Sequence, residues 1–186
     1  LSKTEKLESL REILEAINFA TLAHEGQFRA DKITPYISHP LAVALLLQKY
    51  GYDKEVIISG ILHDIVEDTK YTHDDMIQKF GLEIADIVQG VTEDKNLPYQ
   101  ERKNKYLENL QHANEKSKAV SAADLYHNTF SILHDLGTGF DIWKALNTSA
   151  EDYLKKCDLR LNIVKPAMTP LFQDDFQKLI EELKSL

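Results

Sequence analysis

The chain has 186 residues, 43% hydrophobic and 28% charged, with a formal net charge of −8, which is enough for one well-buried core in a single domain spanning 1–186. The negative balance argues against a nucleic-acid polymer as partner, because that contact needs a basic face, and leaves room for a small anionic ligand held by a local basic patch. One cysteine, Cys157, excludes an internal disulfide and suits a reducing, cytoplasmic setting; no apolar run approaches the ~20 residues of a membrane span, and no signal-peptide pattern opens the chain.

Leu7, Leu10, Leu14 and Ile17 recur at helical spacing, with Ile13, Ala16 and Ala20 beside them, and predict a first helix to about Glu25 with Gly26 as its C-cap. A loop from Gln27 to Ser38 carries Arg29, Lys32 and Pro35. Ser38 can cap the next helix, with Pro40 in its first turn, and the apolar run Leu41 to Leu47 makes that helix central. Gly51 ends it, and Asp53 can cap a third helix running to about Asp68. Thr72 with Asp75 is a capping-box pair for a fourth, carrying Met76, Ile77 and Phe80. After Gly81 a fifth helix holds Ile84, Ile87, Val88 and Val91. The polar segment from Thr92 to Pro98 is a loop, followed by helices over Tyr99–Asn114 and Ser117–Leu136. The remainder, 137–186, reads as short helices divided near Pro166 and Pro170, with a last amphipathic helix from Asp174 to Leu186. No strand alternation persists and no repeat appears. The expectation is an all-α bundle of about 8–10 helices.

The chemistry concentrates in Ile61-Leu62-His63-Asp64-Ile65-Val66-Glu67-Asp68-Thr69. In a helix Glu67 lies one turn beyond His63, and Asp68 one turn beyond Asp64. Two carboxylates ~6 Å apart in a partly buried site repel by roughly 2–3 kcal/mol at an effective dielectric near 20. The helix end they occupy also disfavours negative charge. A bound cation resolves both problems. A solvated acidic helix end is the plainer reading; the flanking aliphatics count against it. His39 and Asp124 join His63 and Asp64 as a possible metal set. Its mixed nitrogen and oxygen donors suit Mn²⁺, Fe²⁺ or Zn²⁺, although adjacent His-Asp pairs occur by chance and most lone histidines are structural. His24, His73, His112, His127 and His134 are assigned to no metal. Arg29, Lys32 and Lys95 are cations a phosphate would need, and each is also an ordinary loop residue.

The runs Ala23-His24-Glu25-Gly26-Gln27-Phe28-Arg29 and Pro35-Tyr36-Ile37-Ser38-His39-Pro40-Leu41-Ala42-Val43-Ala44 resemble the start of the HD hydrolase domain of the RelA/SpoT alarmone enzymes. So do Leu62 to Thr69, Phe80-Gly81, Val88-Gln89-Gly90-Val91-Thr92, and Ala123-Asp124 with Asn128. The segment Val91 to Pro98 with Glu101-Arg102-Lys103 is most similar to the single-domain branch, the small alarmone hydrolases of metazoan SpoT-homologue type. The likeness runs in order over roughly residues 19–135. It implies His39, His63, Asp64 and Asp124 as ligands of a metal, usually Mn²⁺, and Glu67 and Asp68 as the catalytic acidic pair. It also implies Arg29 and Asn128 as substrate contacts; on chemical grounds Lys32 and Lys95 are further cations for the phosphate oxygens. The implied activity is (p)ppGpp 3′-pyrophosphohydrolysis, with a nucleotide as the partner; the amphipathic C-terminal helices suit either closing the site or forming a homodimer surface.

Three departures bear on the substrate. The Arg29–His39 spacing is one residue longer than the usual bifunctional pattern, so Lys32 has no secure equivalent. Leu125 stands where the family carries a basic residue after the aspartate. His127-Asn128-Thr129 lacks the arginine that commonly follows the asparagine. Hydrolysis of another nucleotide phosphate, such as the 2′-phosphate of NADPH, is the alternative that keeps the chemistry. A nucleotide-sensing domain without catalysis would lack ligands or the acidic pair, which this chain retains. An accidental acidic patch on a helical structural protein does not reproduce several motifs in register.

Overall fold

The computed structural model describes residues 3–186, and side chains from residue 7 onward. Among these it contains α1 (Lys3–Ala23), α2 (Ser38–Lys49), α3 (Lys54–Leu62), α4 (Ile65–Asp68), α5 (His73–Phe80), α6 (Leu82–Gln89), α7 (Tyr99–His112), α8 (Glu115–Gly137), α9 (Ile142–Ala145), α10 (Ala150–Val164) and α11 (Pro170–Lys184). A 3₁₀ turn, Lys165–Ala167, links the last two. The described residues form no strand, and Phe28 and Pro35 make one isolated antiparallel bridge across the loop after α1. None of the described helices is long and apolar enough to cross a membrane. The all-α expectation holds, with α4 and α9 as single turns.

Helices α2, α3 and α8 pack on one another at the centre. Gly60 makes the α2–α3 approach possible: a Cβ there would fall 2.6 Å from Leu47 Cδ1 and 3.4 Å from Val43 Cγ1, both in fully buried side chains. Val43 and Leu47 face the cluster completed by α8, α10 and α11, while Ala44, Ile58, Ile61 and Leu62 face α1, α5 and α6. Each of these small or branched side chains is sealed from water, and burial of each large one is worth about 1.5–3 kcal/mol.

Local start signals divide into those used and those not. Thr72 and Asp75 form the expected reciprocal capping box on α5. Asn114, Ser149 and Thr169 cap α8, α10 and α11 by accepting a backbone N–H three residues on. Ser38 does not cap α2: the helix already includes it, after Ile37 in helical backbone. Asp53 stands at the N-cap of α3 without a side-chain bond. The last helix starts at Pro170 rather than Asp174, since proline at N1 lacks an N–H that has no helical partner anyway. On α1 the expected stripe is turned: Leu7, Leu10 and Leu14 are half exposed, and Ala16 and Ala20 are fully buried where α1 meets α3. Small side chains permit that close approach.

The third helix does not run unbroken to Asp68. It stops at Leu62, His63 and Asp64 occupy a turn, and α4 carries Ile65–Asp68. The Gly60 carbonyl, an acceptor in the last helical turn, is bound by His63 Nδ1 at 2.8 Å. Beyond α8, the C-terminal helices complete the core. Phe172 and Phe176 of α11 are essentially fully buried, and Phe172 stacks on Tyr50 at 4.2 Å between centroids.

Candidate functional site

Three elements bring the sequence-predicted metal set together. His39 opens α2, His63 and Asp64 form the turn between α3 and α4, and Asp124 lies in mid-α8. One ligand atom each from His39, His63 and Asp124 lies within 4.8 Å of the others. His39 Nε2 is 3.1 Å from Asp124 Oδ1 and 3.6 Å from Asp64 Oδ2. His63 Nε2 is 3.1 Å from Asp64 Oδ2 and 3.8 Å from Asp124 Oδ1. Donors about 2.1 Å from a shared ion stand roughly 3 Å apart when adjacent, so the spacing has the scale of a coordination shell.

The hydrogen-bond accounting supports the same fit. The Gly60 carbonyl can only accept, so His63 Nδ1 carries a proton and donates it. That leaves Nε2 as the ring's ligating atom. It is buried and has no hydrogen-bond partner; its approach to Asp64 is a charge contact without hydrogen-bond alignment. His39 Nδ1 lies 2.7 Å from His127 Nδ1, so the second imidazole fixes which nitrogen of His39 faces the acids. Burial lowers the pKa of His39, outweighing the acids beside it. Burial would also depress His63, but the charges of Asp64 and Asp124 override it and hold the ring at about 9. Burial opposes ionisation of Asp64 and Asp124. His63 nevertheless holds the first below its ordinary range, and Arg160 and His39 hold the second. The ligand atoms of His39, His63 and Asp124, with Asp64 against His63, fit a divalent cation.

Glu67 and Asp68 stand one turn on, in α4, but in different settings. Glu67 Oε2 accepts the Glu93 backbone N–H at 3.0 Å. Burial, with the charges of Asp64, Glu93 and Asp68, raises its carboxyl to about 7 despite that bond. Asp68 is gripped by the Tyr36 hydroxyl at 3.1 Å and by Lys95. The phenol has a single hydrogen, which Asp68 shares with Asp64 Oδ2, the nearer acceptor at 2.6 Å, and so Tyr36 joins the metal set to the acidic pair. Burial and the neighbouring carboxylates raise the Tyr36 pKa far above its ordinary value, so the phenol keeps its proton.

The basic residues sort unevenly. Arg29 Nη2 donates to Asn128 Oδ1 at 2.7 Å, and Asn128 Nδ2 donates to Asp124 Oδ1 at 2.5 Å. Both line a polar cavity of about 200 Å³ around the metal set, and both line an adjoining cavity of about 640 Å³. The larger volume lies within the usual range for small-molecule sites. Lys95 is paired with Asp68, lies 3.7 Å from Glu67 Oε1, and faces a third cavity of about 410 Å³. Lys32 stands apart: exposed, at φ +63 in the loop before α2, it lines none of the three.

Sequence reasoning missed four participants. Tyr36 and His127 sit inside the quoted motifs, where their spacing from His39 and Asp124 was available as a signal. Glu93 lies 3.0 Å from Arg102 Nε and 2.5 Å from Lys103 Nζ, and only its place in the loop after α6 hinted at the site. Arg160, in α10, donates to Asp124 Oδ2 at 2.6 Å. Nothing local marks it, since its helix reads as an ordinary amphipathic segment.

Comparison with known proteins adds family information to this geometry. A family model described as HD domain matches residues 16–136. Guanosine-3′,5′-bis(diphosphate) 3′-pyrophosphohydrolase MESH1 of Danio rerio is 44% identical over 119 residues, which are 62% of this chain and 66% of that protein. The chain thus spans just under two thirds of that relative. The Mus musculus protein of the same name is 36% identical over 132 residues, 69% of this chain and 74% of the relative. Among solved structures, a metazoan orthologue of SpoT, described as hydrolysing ppGpp, superposes with a TM-score of 0.74 at 25% identity. It covers 92% of this chain and 93% of its own.

Proposed function

The chain belongs to the HD-domain family, and from that premise we propose that it is a guanosine-3′,5′-bis(diphosphate) 3′-pyrophosphohydrolase, hydrolysing (p)ppGpp to GDP or GTP and pyrophosphate with a divalent cation, Mn²⁺ first, as cofactor. The observation that carries this reading is one junction. The His39, His63 and Asp124 cluster, with Asp64 3.1 Å from His63 and an unpartnered imidazole nitrogen among them, lies beside a carboxyl raised to about 7 and adjoins a cavity of about 640 Å³.

His39, His63, Asp64 and Asp124 would hold the ion, which supplies Lewis-acid polarisation of a phosphoryl oxygen and eases ionisation of water. Glu67 accepts the proton of the attacking water, a task suited to a carboxyl poised near neutrality. The water oxygen bonds to the phosphorus nearest the sugar, the P–O3′ bond breaks, and the ribose oxygen leaves to be protonated. Asp68, held by Tyr36 and Lys95, orients the water. Arg29, tethered through Asn128, presents its remaining N–H groups to the phosphate oxygens. The larger cavity takes the nucleoside.

Incubating the Mn²⁺-loaded protein with ppGpp and resolving the products tests this. GDP and pyrophosphate should appear in equal amounts. Release of orthophosphate, or cleavage of NADPH with ppGpp left intact, would move the chemistry to another substrate.

A further inference from the structure

Arg160 lies 24 residues past the end of the HD-domain match at residue 136, yet α10 delivers it to the metal cluster. A guanidinium has five N–H donors in a planar fork. The single Nε hydrogen goes to Ser121 Oγ at 2.8 Å. Nη2 donates to the Ser121 carbonyl at 2.8 Å and to Asp124 Oδ2 at 2.6 Å, which uses both of its hydrogens. The two that remain are both on Nη1, and among the described residues they find no acceptor. Tyr106 lies under the plane, 5.3 Å from its ring centroid to the guanidinium carbon, and fixes the fork's tilt. The side chain is only 15% exposed. It lines both the polar cavity around the metal set and the large cavity beside it. The two N–H groups without an acceptor thus belong to a side chain that faces both cavities.

A cation with two free donors at this junction is matched to one oxygen of a phosphoryl group. Arg29 reaches the same cavities from the loop before α2, through Asn128, but α8 itself places no cation directly after Asp124 or Asn128. The position after Asp124 is Leu125, 5% exposed and packed in the core, and Asn128 is followed by Thr129, fully buried with its hydroxyl on the Leu125 carbonyl. We propose that Arg160 is a substrate-binding residue. One edge of its guanidinium is pinned by Asp124 and Ser121, and its Nη1 edge holds an oxygen of the phosphoryl group under attack, the charge arriving from α10 rather than from α8. The inference rests on the phosphohydrolase reading above, and its test separates the two.

The measurements are Mn²⁺ affinity of the metal-free protein by calorimetry, affinity of the Mn²⁺-loaded protein for inorganic phosphate, and ppGpp kinetics, for the parent, Arg160→Met and Arg160→Lys. For Arg160→Met, loss of one charged donor predicts a fall of about a hundredfold or more in kcat/KM and about tenfold weaker phosphate binding. Mn²⁺ affinity should hold or rise, since a neighbouring positive charge has gone. Arg160→Lys should recover part of the phosphate affinity, because it restores charge without the fork. Phosphate affinity and kcat/KM within about threefold of the parent would overturn the proposal. So would Arg160→Met losing Mn²⁺ in parallel with activity, which would make Arg160 only a support for Asp124. If the parent leaves ppGpp uncleaved, the substrate reading fails, and the phosphate titration still decides Arg160.

Discussion

At the scale of single residues, the acidic face around His63 divides by environment rather than by sequence position. His63 is held at about 9 by Asp64 and Asp124 against the pull of burial, so in the metal-free protein it carries a proton at neutral pH. A cation must displace that proton, because the ligating form is neutral imidazole. Calorimetric titration of Mn²⁺ at pH 7.5, in buffers of different ionisation enthalpy, should therefore show release of about one proton per ion; heats that do not depend on the buffer would contradict this. Glu67 makes a separate prediction. Its folded value of about 7 lies above its ordinary 4.5, so the folded metal-free protein binds that proton more tightly than the unfolded chain does. The contribution is fully stabilising below about 4.5 and is lost as pH rises through about 7, by up to about 3 kcal/mol. Comparing urea unfolding of the parent and Glu67→Gln across pH 4.5 to 8 checks the sign: the parent should lose stability relative to the variant as pH rises.

At the scale of elements, what was legible depended on whether a signal was local. The Thr72–Asp75 box and the extent of α8 could be read because their causes lie within a few residues. The break after Leu62 could not, although the bond from His63 to the Gly60 carbonyl that accompanies it spans only three residues, because apolar spacing continues through the break and a histidine at that separation is no recognised stop signal. The outward turn of Leu7, Leu10 and Leu14 was hidden for a related reason: periodicity gives a stripe, and packing against α3 chooses which one faces in. The metal set was legible as four residues, since each lies in a quoted motif. Arg160 was not, because a long-range contact from α10 leaves no local pattern. That long-range packing also makes α11 a core element. Phe172→Ala should cost about 3–5 kcal/mol, read from the chemical denaturation midpoint, and a loss under about 1 kcal/mol would place α11 at the periphery instead.

At the scale of the molecule, helices from both halves of the chain meet at the candidate site: α2 and the α3–α4 turn from one side, α8 and α10 from the other. An ion bound there links elements far apart in sequence, and anything that binds only the folded state stabilises it by mass action. At a hundredfold excess over Kd the gain is about 2.7 kcal/mol, or about 5–10 °C in Tm for a chain of this size. Adding a chelator should reverse the shift, and a Tm indifferent to Mn²⁺ would count against the site. The most direct test of the whole account sets Mn²⁺ content and ppGpp turnover side by side in the parent, His63→Ala and Glu67→Gln. His63→Ala should lose the metal, whereas Glu67→Gln should keep the parent's Mn²⁺ and lose turnover by about a hundredfold or more. Equal loss of metal in both variants, or parental turnover in Glu67→Gln, would contradict the division between the residues that hold the ion and the carboxyl that takes the proton.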